Sequence, residues 1–137
     1  MFHWVYPANV KIYDVLGAFR EPYAFWPINS KVSIGDVVYI YLSAPYKQIG
    51  FVCHVNEINL IENQVIEKTS PYFRGNTNKT KNDKTFMKLT TTSKIELEEN
   101  SLLSYTNLKK NGLNGAFMGP RKLENNPKLW KYIQGVF

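Results

Sequence analysis

The hydrophobic pattern is densest in two consecutive runs, Val37 to Leu42 and Ile49 to Val55, the first introduced by a Gly35-Asp36 turn and the two separated by a short loop containing Pro45. β-branched and aromatic residues at a period of two predict a pair of strands. On the first, Val38, Ile40 and Leu42 share one face and Val37, Tyr39 and Tyr41 the other, so both faces are apolar, as in a strand inside a covered or closed sheet. On the second, the same rule puts Ile49, Phe51, Cys53 and Val55 on one face, with Gly50, Val52, His54 and Asn56 opposite.

The flanking pattern is shorter in range. Phe2 to Tyr6 alternates as an opening strand that should stop at Pro7, because proline cannot donate to a ladder. Asp14 is placed to cap a short helix carrying Val15, Ala18 and Phe19 and closed near Glu21 by Pro22. Tyr23-Ala24-Phe25-Trp26-Pro27 has no clean period and lies between two prolines, which predicts an aromatic loop. A third strand is expected through Glu57–Leu60, resuming from Gln64 to Lys68, and a Thr-rich strand through Phe86–Thr92. Ser101–Lys110 predicts a helix with Leu102, Leu103 and Leu108 inward and Gly112 just past its end; Asn126-Pro127 opens a last helix that packs Leu129, Trp130 and Ile133. The elements amount to one domain over residues 1–137, α+β but mainly β.

Charge changes this picture in one place. Lys68, Arg74, Lys79, Lys81, Lys84, Lys88 and Lys94 face Asp83 alone between positions 68 and 94, an excess of six that equals the net charge of +6 of all 137 residues. The polar stretch from Gly75 to Lys84 inside it predicts a mobile basic hairpin loop, entered through Pro71-Tyr72-Phe73-Arg74. Aromatic residues make up 15% of the chain, and most belong in a core. Those on loops, Tyr23, Phe25, Trp26, Tyr72 and Phe73, either plug that core or line a concave site. Aromatic faces beside Lys and Arg suit a nucleic acid with an exposed base, since bases stack and phosphates pair with cations.

Other chemistries are poorly provided for. Cys53 is the one cysteine, which excludes an intramolecular disulfide, fits a reducing compartment and predicts a buried structural thiol. Its neighbour His54 points to the opposite face of the strand, so the two form no catalytic dyad. His3 reads as a surface or groove residue, and two histidines without cysteine partners predict no metal site. Asp36 reads as a turn residue, and Glu96, Glu98 and Glu99 as a solvated run. No Gly-rich phosphate loop precedes a helix, no stretch is apolar enough to span a membrane, and no leader pattern opens the chain, so a cytoplasmic binding module without cofactor or catalytic residues is expected.

The order of these features resembles the EVE domain of the PUA-like superfamily. The resemblance is carried by Trp4 and Tyr6-Pro7-Ala8-Asn9, the Trp26 loop, Ser33-Ile34-Gly35-Asp36-Val37-Val38-Tyr39-Ile40-Tyr41, the strand containing Gly50, and Gly119-Pro120-Arg121-Lys122-Leu123 before the final helix. It implies a small twisted PUA-like β-barrel flanked by short helices, with a pocket at one end that accepts a flipped base, in some EVE domains a modified cytosine of DNA read for a restriction system. Carried over by position, Trp26 would wall the pocket, Asn9 would read a base edge and Ser43 would line the mouth beside Tyr6. Tyr72 or Phe73 would supply the second wall, where the family's tryptophan is missing. Arg74, Lys79, Lys81, Lys84 and Lys88 would hold phosphates. DNA is favoured over RNA as partner, with an effector nuclease or motor domain in the same chain or another. The alternatives are an RNA-base reader of YTH or PUA type and a small hydrolase related to ASCH domains, for which Lys11 and Glu57 are the candidates.

Overall fold

The computed structural model describes residues 1–74 and 84–137, and the hairpin expected between Gly75 and Lys84 lies, apart from Lys84, outside the described residues. Six strands form one mixed sheet that curls into a half-barrel: β1 (His3–Ala8), β2 (Ala24–Ile28), β3 (Val37–Leu42), β4 (Gln48–Leu60), β5 (Thr85–Lys94) and β6 (Arg121–Lys122), in the spatial order β2-β5-β4-β3-β1-β6. β1 runs parallel to β3 and every other pair is antiparallel. Among the described residues four short α-helices flank the sheet: α1 (Val15–Ala18), α2 (Glu62–Thr69), α3 (Tyr105–Lys110) and α4 (Pro127–Val136). None of them is long and apolar enough to cross a membrane.

The two apolar faces of β3 are both used. Val38, Ile40 and Leu42 join Trp4, Tyr6, Cys53, Met87 and Leu89 in one core, closed by Phe19, whose ring stacks on Phe51 at 5.1 Å. Val37, Tyr39 and Tyr41 face the other way, into a core completed by Leu108 of α3, Leu123, and Leu129 and Ile133 of α4. Cys53 is fully buried in the first core with its thiol pushed up to about 12 by that burial, so it is inert as a nucleophile, and His54 is exposed on the opposite face.

Ile49 departs from the strict alternation. The register with β3 passes from Ile40–Phe51 to Tyr41–Ile49, which leaves Gly50 as a bulge and turns Ile49 into the second core, away from Phe51. A Cβ on Gly50 would stand 2.7 Å from Leu42 Cδ1, so any larger residue at the bulge must displace the buried Leu42 side chain.

Other boundaries also differ from the pattern. Pro7 lies inside β1 rather than ending it. The Phe2 and Ala8 carbonyls accept from Val37 and Ser43 on the β3 side, so the odd-numbered residues turn to the other edge, where β6 reaches only Trp4 and Val5; Pro7 forfeits no ladder bond there. The Tyr23–Pro27 loop is instead largely β2, an edge strand paired to β5 that tolerates Pro27 for the same reason. β4 continues unbroken to Leu60, so no separate third strand exists there, and Gln64–Lys68 is helix α2. Its Val65 and Thr69 are buried at helical spacing and the Gln64 side chain accepts from the Ile61 amide at 2.8 Å. α1 ends at Ala18, sooner than Glu21, although Asp14 caps it by accepting from the Gly17 amide. α3 begins only after Ser104, leaving Leu102 59% exposed while Leu103 and Leu108 are buried. Gly112, at φ +117°, follows it, and the Leu113 amide reaches back to the Leu108 carbonyl at 2.9 Å.

Gln48 ties the segment before α3 to the sheet. Only 1% exposed, it donates to the carbonyls of Ile49 and Glu96 and to Ser101 Oγ, and accepts from the Glu98 amide. Gln48→Ala should therefore cost about 2 kcal/mol in urea unfolding, because the bonds are lost and their partners are left buried. An unchanged midpoint would mean that water replaces them.

Candidate functional site

A cavity of about 330 Å³ opens where the end of β1, the edge strand β2 and the chain after α2 converge. Each wall has a local cause. Tyr6 is the last aromatic of β1, 2% exposed, and its hydroxyl is tied to Ser30 Oγ just beyond β2; burial raises its phenol, so it stays protonated. Trp26 sits in β2 opposite Met87 and leans on the first core, its ring edge-on to Tyr13 at 5.4 Å and tilted against Phe19 at 5.8 Å. Phe73 is placed by an isolated bridge between its backbone and that of Tyr13, and the two rings meet edge to face at 4.9 Å. Asn9, exposed at the mouth, accepts from the Lys11 amide through Oδ1, which leaves its amide nitrogen without a partner among the described residues. Lys84, Phe86 and the Met118-Gly119-Pro120 loop complete the rim.

Tyr6, Asn9, Phe25, Trp26, Phe73 and Lys84 thus line one cavity, and Ser43, Tyr72, Arg74 and Lys88 do not join them. Ser43 Oγ accepts from the Val10 amide at 3.0 Å and shapes the turn beneath Asn9 without lining the cavity. Tyr72 donates its hydroxyl to Glu21 Oε2 at 2.7 Å and faces a neighbouring cavity of about 520 Å³. Arg74 pairs with Asp14 at 3.2 Å and donates to the Val10 carbonyl, beside a small hollow that Lys11 also lines. Lys88 reaches Glu57 Oε1 at 3.4 Å and lies 4.0 Å above the Tyr23 ring, in the neighbouring cavity. Lys79 and Lys81 are outside the described residues. Lys11 and Glu57, the candidates for a hydrolase, line neither the main cavity nor a common one. Among the described residues no three His, Cys, Asp or Glu side chains come together as a metal-binding group.

Tyr13 and Phe25 line both cavities, so they form the wall between them. Tyr13 escaped the sequence reading because positions 9 to 13 have no period and its only neighbour with a readable role is the helix cap Asp14. It is 6% exposed, and burial, with Tyr72 and Asp14 adding to it, pushes its phenol well above the ordinary range. A protonated, neutral hydroxyl is the result, available as a donor.

No protein-family model matches the chain, and no curated protein does. Solved structures match over almost its whole length. A tyrosine-to-phenylalanine variant of the ASCH protein of Zymomonas mobilis superposes with a TM-score of 0.70 at 11% identity, covering 99% of each chain. The ASCH structure from the same organism gives 0.65 at 11% identity, covering 98% of this chain and 94% of that one. A hypothetical protein from Leishmania major gives 0.64 at 16% identity, covering 99% and 94%. At these identities the likeness shows the fold alone, one shared with ASCH-domain structures. The PUA-like fold expected from the sequence is therefore the fold observed, while the EVE assignment is not shown.

Proposed function

We propose that the chain is a nucleic-acid-binding module that takes one base, lifted out of its stack, into the cavity between Tyr6, Trp26 and Phe73. The observation that carries this reading is the convergence of those three aromatics on one opening with the uncommitted amide of Asn9 at its mouth. The cavity is small for a drug-sized ligand and adequate for a single heterocycle, and aromatic walls favour a flat π-system over an aliphatic one. Asn9 then reads the base edge by hydrogen bonding, and the basic segment from Lys68 to Lys94 supplies sequence-independent attraction for the backbone. The ligand that the EVE resemblance implies is modified cytosine in DNA; an RNA base is the alternative in the same chemistry.

The test is fluorescence anisotropy with matched single-stranded DNA and RNA oligonucleotides, each with and without 5-methylcytosine, across a salt series. Binding should weaken steeply with salt, as phosphate contacts require. Asn9→Ala should weaken it by about tenfold, the loss expected for one base-edge contact, with only the small fall in melting temperature that losing its exposed bond to the Lys11 amide brings. Preference between the modified and unmodified pairs, and between DNA and RNA, identifies the ligand. Binding insensitive to both salt and Asn9→Ala would overturn the reading.

A further inference from the structure

The second cavity, of about 520 Å³, is built from different material. Tyr23 and Tyr72 supply aromatic surface, Lys68 and Lys88 supply positive charge, and Glu21 and Glu67 supply carboxylates. Glu21 uses Oε2 to accept from Tyr72, whereas Glu67 and Lys68 make no hydrogen bond or ion pair among the described residues. The Tyr13 hydroxyl, on a side chain more than nine-tenths buried, likewise has no hydrogen-bond partner among them. Tyr13 and Phe25 line both this cavity and the one that holds Trp26. An aromatic side chain standing between successive bases is the wedge by which proteins unstack a strand, so a strand that places one base on the Trp26 side delivers its neighbour to the other side.

We propose that the second cavity holds the nucleotide adjacent to the inserted base and selects one whose base carries an exocyclic amino group. Carboxylates accept from the amino group of cytosine or adenine, whereas thymine and uracil present a carbonyl oxygen at that position and keep only the ring N3–H as a donor beside it. Lys68 pairs with the intervening phosphate, Lys88 leaves Glu57 and the Tyr23 ring for the outer one, and the ring faces of Tyr23 and Tyr72 then take the base. The Tyr13 hydroxyl donates to whichever acceptor the strand brings to the wall. This inference rests on the base-insertion reading, and it extends that reading from one base to a two-nucleotide step.

The experiment measures affinities of short oligonucleotides that keep one central base and vary the residue on its 5′ side and then on its 3′ side among cytosine, adenine, thymine or uracil, and an abasic site. On one of the two sides, cytosine or adenine should bind about tenfold tighter than thymine or uracil, and the abasic site should bind weakest. The double substitution Glu21→Ala with Glu67→Ala, both at exposed positions, should level cytosine and thymine, and Tyr23→Ala should narrow the gap between base and abasic site. Each variant's affinity for the oligonucleotide that is abasic on both sides is the reference for these comparisons, because removing two carboxylates raises attraction for any phosphate backbone. Equal affinity for every neighbour while binding remains dependent on Trp26 overturns this inference and leaves the single-base reading intact. A neighbour preference that survives the double substitution overturns it as well, and binding independent of Trp26 overturns both.

Discussion

Asp36→Ala should destabilise the protein by about 3 kcal/mol, lowering the melting temperature by about 10 °C. The residue reads in the sequence as an ordinary turn aspartate, yet its side chain is buried, with the residue 2% exposed. Oδ1 accepts from the Phe2 amide at 2.9 Å, and Oδ2 accepts from Trp4 Nε1 at 2.9 Å and the Ser33 amide at 3.0 Å. One carboxylate therefore joins the start of β1 to the turn that launches β3, and removing it strands three donors. Asp36→Asn is a sharper probe, because both oxygens are committed and either orientation of the amide turns an NH₂ group toward a donor. Burial alone would raise this carboxyl, but the three hydrogen bonds and the nearby N-terminal ammonium outweigh it and hold the group below its ordinary value. A depressed folded-state value means that the stabilisation is complete above the ordinary aspartate range and is lost as pH falls through the folded value. The difference between wild type and Asp36→Asn in urea midpoint should accordingly be largest near neutrality and shrink below about pH 4. A difference that is constant with pH would show that the charge of Asp36 is not what the fold uses.

Trp26→Ala should weaken oligonucleotide binding by about 10- to 100-fold, the loss seen when a stacking platform is removed. Trp26 also packs against Tyr13 and Phe19, so the same change will cost stability, and affinity must be compared at a temperature where both proteins are folded. Trp26→Phe separates the two effects. It keeps a π-face and most of the packing, and should recover most of the affinity. If Trp26→Ala binds as tightly as wild type while folded, the indole is core material and the cavity is not a base site.

The two faces of β3, the pairing of β3 with β4, the caps Asp14 and Asn126 and the inert Cys53 were all legible, because each depends on local spacing or on a residue's own chemistry. β2 was hidden because its strand character comes from pairing with β5, far along the chain, and its Pro27 is acceptable only at the sheet edge. Ile49 was misassigned because a bulge at Gly50 breaks a period of two, and α2 because the polar stretch Gln64 to Lys68 carries few apolar positions from which to read a period. At the candidate site, Tyr6, Asn9, Trp26 and Phe73 line one cavity. Ser43, Tyr72, Arg74 and Lys88 do not line their cavity, since each is drawn to a nearer partner: the Val10 amide, Glu21, Asp14 and Glu57 respectively. Tyr13 could be placed only in three dimensions, because its role comes from standing between two cavities and not from any neighbour in sequence.

The central claim is that a base enters the cavity beside Trp26, and photocrosslinking tests it most directly. A single-stranded oligonucleotide carrying one 5-iodouracil or 5-iodocytosine, irradiated in the complex and mapped by peptide mass spectrometry, should attach to Trp26, Tyr6, Phe73 or the shared-wall residue Tyr13. Adducts confined to aromatics remote from that opening, such as Tyr105 or Trp130, with none on the cavity walls, would contradict it.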